Sequence, residues 1–180
     1  MDEKMVELGK EISLVLDTEN IKFMIFGSLA ASFYGLEREP QDLDFAISSE
    51  TEMNKTIRLT KKLGLQTFYS NLNREQEILK FCKILSLDPT EILSLYEDEP
   101  KIFFSTDNKT GITCDFHIFS TPYRVGIIER ATIIEGLKII SLDDLIGLKL
   151  FCGRKKDFAD GRKLIVRKFQ ICDLDTRPTS

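Results

Sequence analysis

The chain has 180 residues, 42% apolar and 30% charged, with a net charge of −4, enough for one sizeable core and unlike a disordered chain. No apolar run approaches the roughly 18 residues of a membrane span and the N-terminus carries no signal pattern, so a cytoplasmic protein with no membrane contact is expected. The mild negative charge also argues against broad, sequence-independent binding to nucleic acid. Four scattered cysteines, Cys82, Cys114, Cys152 and Cys172, form no C-x-x-C pair and read as free thiols rather than a disulfide or zinc framework.

Met5, Leu8, Ile12 and Val15 recur at helical spacing and predict a helix over 4–16. Residues 21–26 have the length and composition of a buried strand, which Gly27-Ser28 ends with a turn residue and an N-cap candidate; a short helix over 28–34 then stops at Gly35. After a linker, 42–47 reads as a second strand. Ser49 and Glu52 form a capping box that opens a helix through Leu63, closed by Gly64. Further helices are predicted over 74–87 and, from Asp88-Pro89-Thr90-Glu91, to about Tyr96, which makes 50–98 a helical insertion. Residues 101–105 and 112–119 flank the turn composition of 107–111 and predict a β-hairpin. One or two short strands over 132–140 follow. Ser141 and Asp144 then give a loose capping pattern before a helix over 142–152, and a last helix is expected over 155–167. The whole reads as one domain over 1–172 with a flexible tail at 173–180.

Side chains at i and i+2 of a strand point to the same face, so Asp42 and Asp44 project together. Two carboxylates that close repel, and a divalent cation with oxygen ligands, Mg²⁺ with a substrate phosphate, is the usual way to keep both ionised. Asp115, inside an apolar strand, joins them if that strand lies beside 42–47. At Gly27-Ser28 the missing side chain lets a phosphate approach the backbone. Ser28 has no histidine partner at a recognisable spacing and does not read as a nucleophile. Asp107 is explained by its turn. His117 shares a face with Asp115 and reads as a hydrogen-bonded structural histidine ahead of a catalytic base. Lys149 stands where an apolar residue would continue the helical stripe, so its ammonium either snorkels to water or serves a ligand. Between Lys149 and Lys168 eight basic residues face two acids, a local balance of +6 that leaves −10 elsewhere. Within it, Asp157 and Asp160 are expected to pair with Arg154, Arg162 or Lys163.

Gly27-Ser28, thirteen residues, Asp42-Leu43-Asp44 and a later Asp115 resemble the nucleotidyltransferase (polymerase-beta-like) superfamily. More narrowly, residues 26–38 ending in that Asp-x-Asp, together with 141–150 and the following Gly153-Arg154-Lys155-Lys156-Asp157 and Asp160, resemble the AbiEii-type minimal nucleotidyltransferases. The resemblance implies an α/β fold, a small mixed β-sheet flanked by helices. It implies that Asp42, Asp44 and Asp115 are catalytic and bind Mg²⁺ or Mn²⁺, and that Gly27, Ser28, Arg38 and Lys149 bind the nucleotide. Pro40 stands where the family has a threonine. The implied activity moves a nucleoside monophosphate from an NTP to an acceptor hydroxyl on an RNA end such as tRNA, a protein or a small molecule. A toxin–antitoxin or defence setting with a cognate antitoxin protein fits the same resemblance. The alternative is a catalytically silent nucleotide-binding or protein-interaction module of that fold.

Overall fold

In the computed structural model, residues 3–37, 39–69 and 102–175 are described. They form, in chain order, α1 (Glu3–Thr18), β1 (Phe23–Phe26), α2 (Gly27–Phe33), β2 (Asp42–Ile47), α3 (Glu50–Lys62), β3 (Leu65–Tyr69), β4 (Ile102–Asp107), β5 (Thr113–Ile118), α4 (Pro122–Glu129), β6 (Thr132–Ile134), β7 (Leu137–Ile139), α5 (Leu142–Cys152) and α6 (Lys155–Asp175). The strands make one mixed sheet in the order β3-β4-β5-β2-β1-β7-β6. Within it β2 runs parallel to β5 and β1 parallel to β7, while the other neighbours are antiparallel.

The two faces of this sheet have different chemistry. Leu43, Phe45 and Ile47 of β2 are fully buried on one face, and strand alternation sends Asp42 and Asp44 to the other. On the apolar face Phe45 stacks on its β5 neighbour Phe116 at 5.0 Å between ring centroids and tilts against Phe23 at 6.3 Å. Helix α1 closes that face: Met5, Leu8, Ile12 and Leu16 are buried, and Gly9 sits over Ile25, Leu43 and Leu137. The short α2 packs on β1 and β2 and touches α5.

Caps fix the helix starts. The Ser49 hydroxyl accepts from the Glu52 amide at 3.2 Å, and Ser141 does the same for Asp144 at 3.2 Å. Arg130, at the end of α4, donates to both Asp144 carboxylate oxygens at 2.7 and 3.1 Å, which ties the start of α5 to α4. The hairpin turn is organised by Asp107, which accepts from the Thr110 amide at 3.0 Å and its hydroxyl at 2.6 Å, so this acid is structural.

Three expectations need correction. The segment read as wholly helical over 50–98 contains the strand β3 directly after α3, paired antiparallel to β4; the helices expected over 74–87 and 88–96 lie outside the described residues. Helix α4 was not foreseen, although Thr121 caps it by accepting from the Arg124 amide and Pro122 occupies its first turn. The last helix runs to Asp175 and takes in residues assigned to the tail, of which 176–180 lie outside the described residues.

Truncating Phe45 removes the central ring of the stack where the packed neighbours cannot collapse. Phe45→Ala is expected to destabilise the fold by about 3–5 kcal/mol, read as a lower urea midpoint at unchanged m-value.

Candidate active site

Register builds the site. Asp44 pairs with Phe26 on β1 and with Asp115 on β5, so the parallel β2–β5 ladder sets two carboxylates side by side on the face away from α1. One step along, His117 of β5 lies opposite Ala46 and follows Asp115 by two residues, on the same face. Gly27, the first residue of α2, has φ +72°, and a Cβ there would lie 1.7 Å from Asp44 Oδ2, so only glycine leaves room for that carboxylate. Ser28 does not cap α2, whose N-cap is Phe26; its hydroxyl instead lies 3.5 Å from Asp42 Oδ1.

The three acids do not converge equally. One ligating atom each from Asp44, Asp115 and His117 lie within 4.8 Å of one another, and Asp42 is not part of that group. The strand repeat explains this: Asp42 sits opposite Thr113, one pleat away from Asp115, and turns towards Ser28. Its charge is still felt. Burial, and then the Asp44 carboxylate, raise the Asp42 pKa above its ordinary value, against opposing effects of Ser28 and Lys156. Asp115 is pushed up to about 7 by burial first and then by Asp44 and Asp42, with His117 opposing.

The donor set suits a divalent cation. Asp115 Oδ1 and His117 Nε2 are both buried and lack a hydrogen-bond partner, an expensive arrangement that a shared cation relieves. His117 Nε2 lies 3.6 Å from Asp44 Oδ1, beyond hydrogen-bond distance. Asp44, Asp115 and His117 are therefore the residues placed to hold a metal, with Asp42 beside them.

Of the residues expected at the nucleotide, Arg38 lies outside the described residues. Lys149 is placed otherwise than expected. Its ammonium is buried at the junction of α5 and α6, donating to Asp157 at 3.1 Å and Asp160 at 3.0 Å. A buried ammonium requires such partners, and Asp157 is a second hub because Arg154 also donates to it. Burial works against the Asp157 charge, yet hydrogen bonds from Arg154 and Lys149 hold its carboxyl below the usual range. The cations that interact with the acids of this face are instead Lys156, which opposes the rise at Asp42, and Arg154, whose charge Asp44 favours. Sequence reading counted both in the charge run and in the block that carries the family resemblance, and expected Arg154 to pair with Asp157 or Asp160, but gave neither a part at the acids. The signal that marks them is their position just after the left-handed Gly153 that ends α5.

No protein-family model and no curated protein matches the sequence. Solved structures do match. The lincosamide antibiotic adenylyltransferase LnuA, lincomycin-bound, is 12% identical with a TM-score of 0.54 over 91% of this chain and 96% of its own. ANT(2″)-Ia in complex with adenylyl-2″-tobramycin is 12% identical, with a TM-score of 0.53 over 91% of this chain and 87% of its own. An antigenic nucleotidyltransferase-like protein from Paracoccidioides brasiliensis is 15% identical, with a TM-score of 0.54 over 93% of this chain and 77% of its own. The protein thus has the nucleotidyltransferase fold, an α/β architecture around a mixed sheet. Among the described residues no helix is long and apolar enough to cross a membrane.

Two outcomes follow from these electrostatics. Between the ordinary 3.8 and about 7, the unfolded chain has released the Asp115 proton while the folded chain keeps it. The stability of metal-free protein is therefore expected to fall as pH rises through that window and to level above it, and Asp115→Asn to flatten the decline in thermal melts with chelator present. Lys149→Met leaves two buried carboxylates short of a partner and is expected to destabilise by about 3–5 kcal/mol in denaturant titrations, where a phosphate-binding lysine would leave stability unchanged.

Proposed function

We propose that this protein is a divalent-metal-dependent nucleotidyltransferase that moves a nucleoside monophosphate from an NTP to an acceptor hydroxyl and releases pyrophosphate. The observation that carries the reading is the Asp44 carboxylate seated in the space a Cβ of Gly27 would fill, in register with Asp115 on the neighbouring strand. Nothing in an apolar core requires that arrangement, whereas phosphoryl transfer requires carboxylates beside a turn that a phosphate can approach.

Asp44 and Asp115 would hold Mg²⁺ or Mn²⁺ together with His117, and Asp42, the further metal ligand that the family resemblance implies, stands beside them at Ser28. When bound, the ion offsets charge on the phosphate and the attacking oxygen. The acceptor oxygen would attack the α-phosphorus, the bond to the bridging oxygen of the pyrophosphate would break, and the hydroxyl proton would pass to an Asp115 carboxylate oxygen that the ion does not use. Gly27 and Ser28 line the phosphates, and Arg154 and Lys156 offset charge on the leaving pyrophosphate in the part first expected of Lys149. Arg38 belongs to the same nucleotide-binding proposal through the family resemblance.

The acceptor class stays broad: an RNA end, a protein or a small molecule. LnuA binds lincomycin and ANT(2″)-Ia is found with adenylyl-2″-tobramycin, which makes hydroxylated small molecules one class to test beside RNA and protein. The AbiEii-type resemblance, and with it a toxin–antitoxin role in the cytoplasm with a cognate antitoxin, forms the narrower part of the proposal. The silent-module alternative is less well supported, because a binding module has no use for two orphaned buried ligand atoms in one cluster.

The parent incubated with labelled NTPs, a divalent cation and RNA, protein and small-molecule acceptors should transfer label and release pyrophosphate. Asp44→Asn and Gly27→Ala should each lower that rate by on the order of 10²–10³-fold or more. Equal background in parent and both variants with every NTP would return the protein to the silent-module reading.

A further inference from the structure

We infer that the metal centre is a mixed oxygen and nitrogen site, in which His117 Nε2 joins the Asp44 and Asp115 carboxylates as a direct ligand and shifts selection from Mg²⁺ towards Mn²⁺. The inference rests on the nucleotidyl-transfer reading only in concerning the ion that reading requires.

Three observations converge on it. His117 Nε2 is buried with no hydrogen-bond partner, and so is Asp115 Oδ1 two residues earlier on the same strand face. A structural histidine of this burial ordinarily has a hydrogen-bond partner on Nε2, and its contact with Asp44 Oδ1 at 3.6 Å is too long to be one. One ligating atom each from Asp44, Asp115 and His117 lie within 4.8 Å of one another, close enough to share one ion. The ring is also fixed in place: it meets Phe26 of β1 edge to face at 5.1 Å between centroids, which aims Nε2 at the acids without any polar contact.

The identity of the ion follows from donor chemistry. Imidazole suits Fe, Ni, Cu and Zn best; of the two ions that the proposed function admits, both favour carboxylate, but Mg²⁺ gives up water reluctantly, so a nitrogen donor costs Mg²⁺ more than the transition ion Mn²⁺. Coordination through Nε2 puts the ring proton on Nδ1. The competing role is an imidazolium that serves only as a counter-ion to the carboxylates, and a bound ion distinguishes the two because it takes the lone pair that the proton would use.

The test uses the untagged full chain, stripped of metal and titrated with Mn²⁺ in the absence of NTP. His117 is the single histidine of the sequence, so any imidazole nitrogen detected on the ion comes from it. Electron spin-echo modulation of the Mn²⁺ protein should show directly coordinated nitrogen. In His117→Gln that signal should vanish and Mn²⁺ affinity should fall at least about tenfold, with Mg²⁺ affinity, measured by competition, falling less than about threefold. Should His117→Gln not fold, the nitrogen signal of the parent decides alone. Bound Mn²⁺ without nitrogen coupling, equal losses for both ions, or no Mn²⁺ binding would each overturn the inference. Label transfer by the parent is measured separately: transfer without nitrogen coupling sinks this inference and spares the function, and coupling without transfer does the reverse.

Discussion

The pairing of Asp44 with Asp115 across a parallel ladder is the constraint to which the rest of the site answers. Two carboxylates in register on a partly buried face repel each other and are poorly hydrated, and each neighbour adjusts to that fact. Gly27 gives up its side chain so that Asp44 fits. Lys156 and Arg154 supply positive field from the α5–α6 junction. His117 brings a ring nitrogen, Nε2, to the same place with no hydrogen-bond partner there. The cramped Asp44 carboxylate and the unpartnered His117 and Asp115 atoms are unfavourable for an empty fold and favourable for one that holds a cation, whereas the two basic side chains ease the repulsion in either state.

That the +6 run after Lys149 divides into architecture and site is a matter of burial. Lys149 lies inside the α5–α6 contact and is bound between Asp157 and Asp160, so its charge fixes the angle between two helices. Arg154 is exposed, reaching Asp157 on one side and feeling Asp44 on the other, and so couples the helix junction to the acids. Lys168 reaches back to Asp143 near the start of α5 at 2.5 Å, closing the same pair of helices from outside. One charge run thereby holds the helices together and turns a few of its members towards Asp42 and Asp44.

What could be read from the chain was what repeats locally. Strand alternation placed Asp42 and Asp44 on one face, the hairpin composition around 107–111 placed β4 against β5, and the capping pairs at Ser49 and Ser141 set two helix starts within a residue. What could not be read depends on partners distant in sequence. Strand β3 is five residues at the sheet margin whose partner β4 lies more than thirty residues further along the chain, and local propensity gives no such signal. The partner of Lys149 lies on another helix, so spacing suggested only that a lysine was out of place. His117 was visible on the face of Asp115, but a single histidine gives no spacing to count, and its importance emerges only from the orphaned Nε2. Pro122 and Thr121 did carry a legible helix start that the reading passed over.

The two faces of the sheet also divide the energetics. Phe23, Phe45, Phe116 and the α1 stripe bury the apolar face completely, so that side can carry much of the folding free energy. Stability held there allows like charges and unsatisfied atoms to persist on the other, as strained functional groups persist where the surrounding structure over-determines them. An ion that binds only the folded chain would return stability by mass action, most where the carboxylates are already ionised. The acids are thus held in a poor arrangement by a good core, and a cation that improves the arrangement would be the one the proposed chemistry requires.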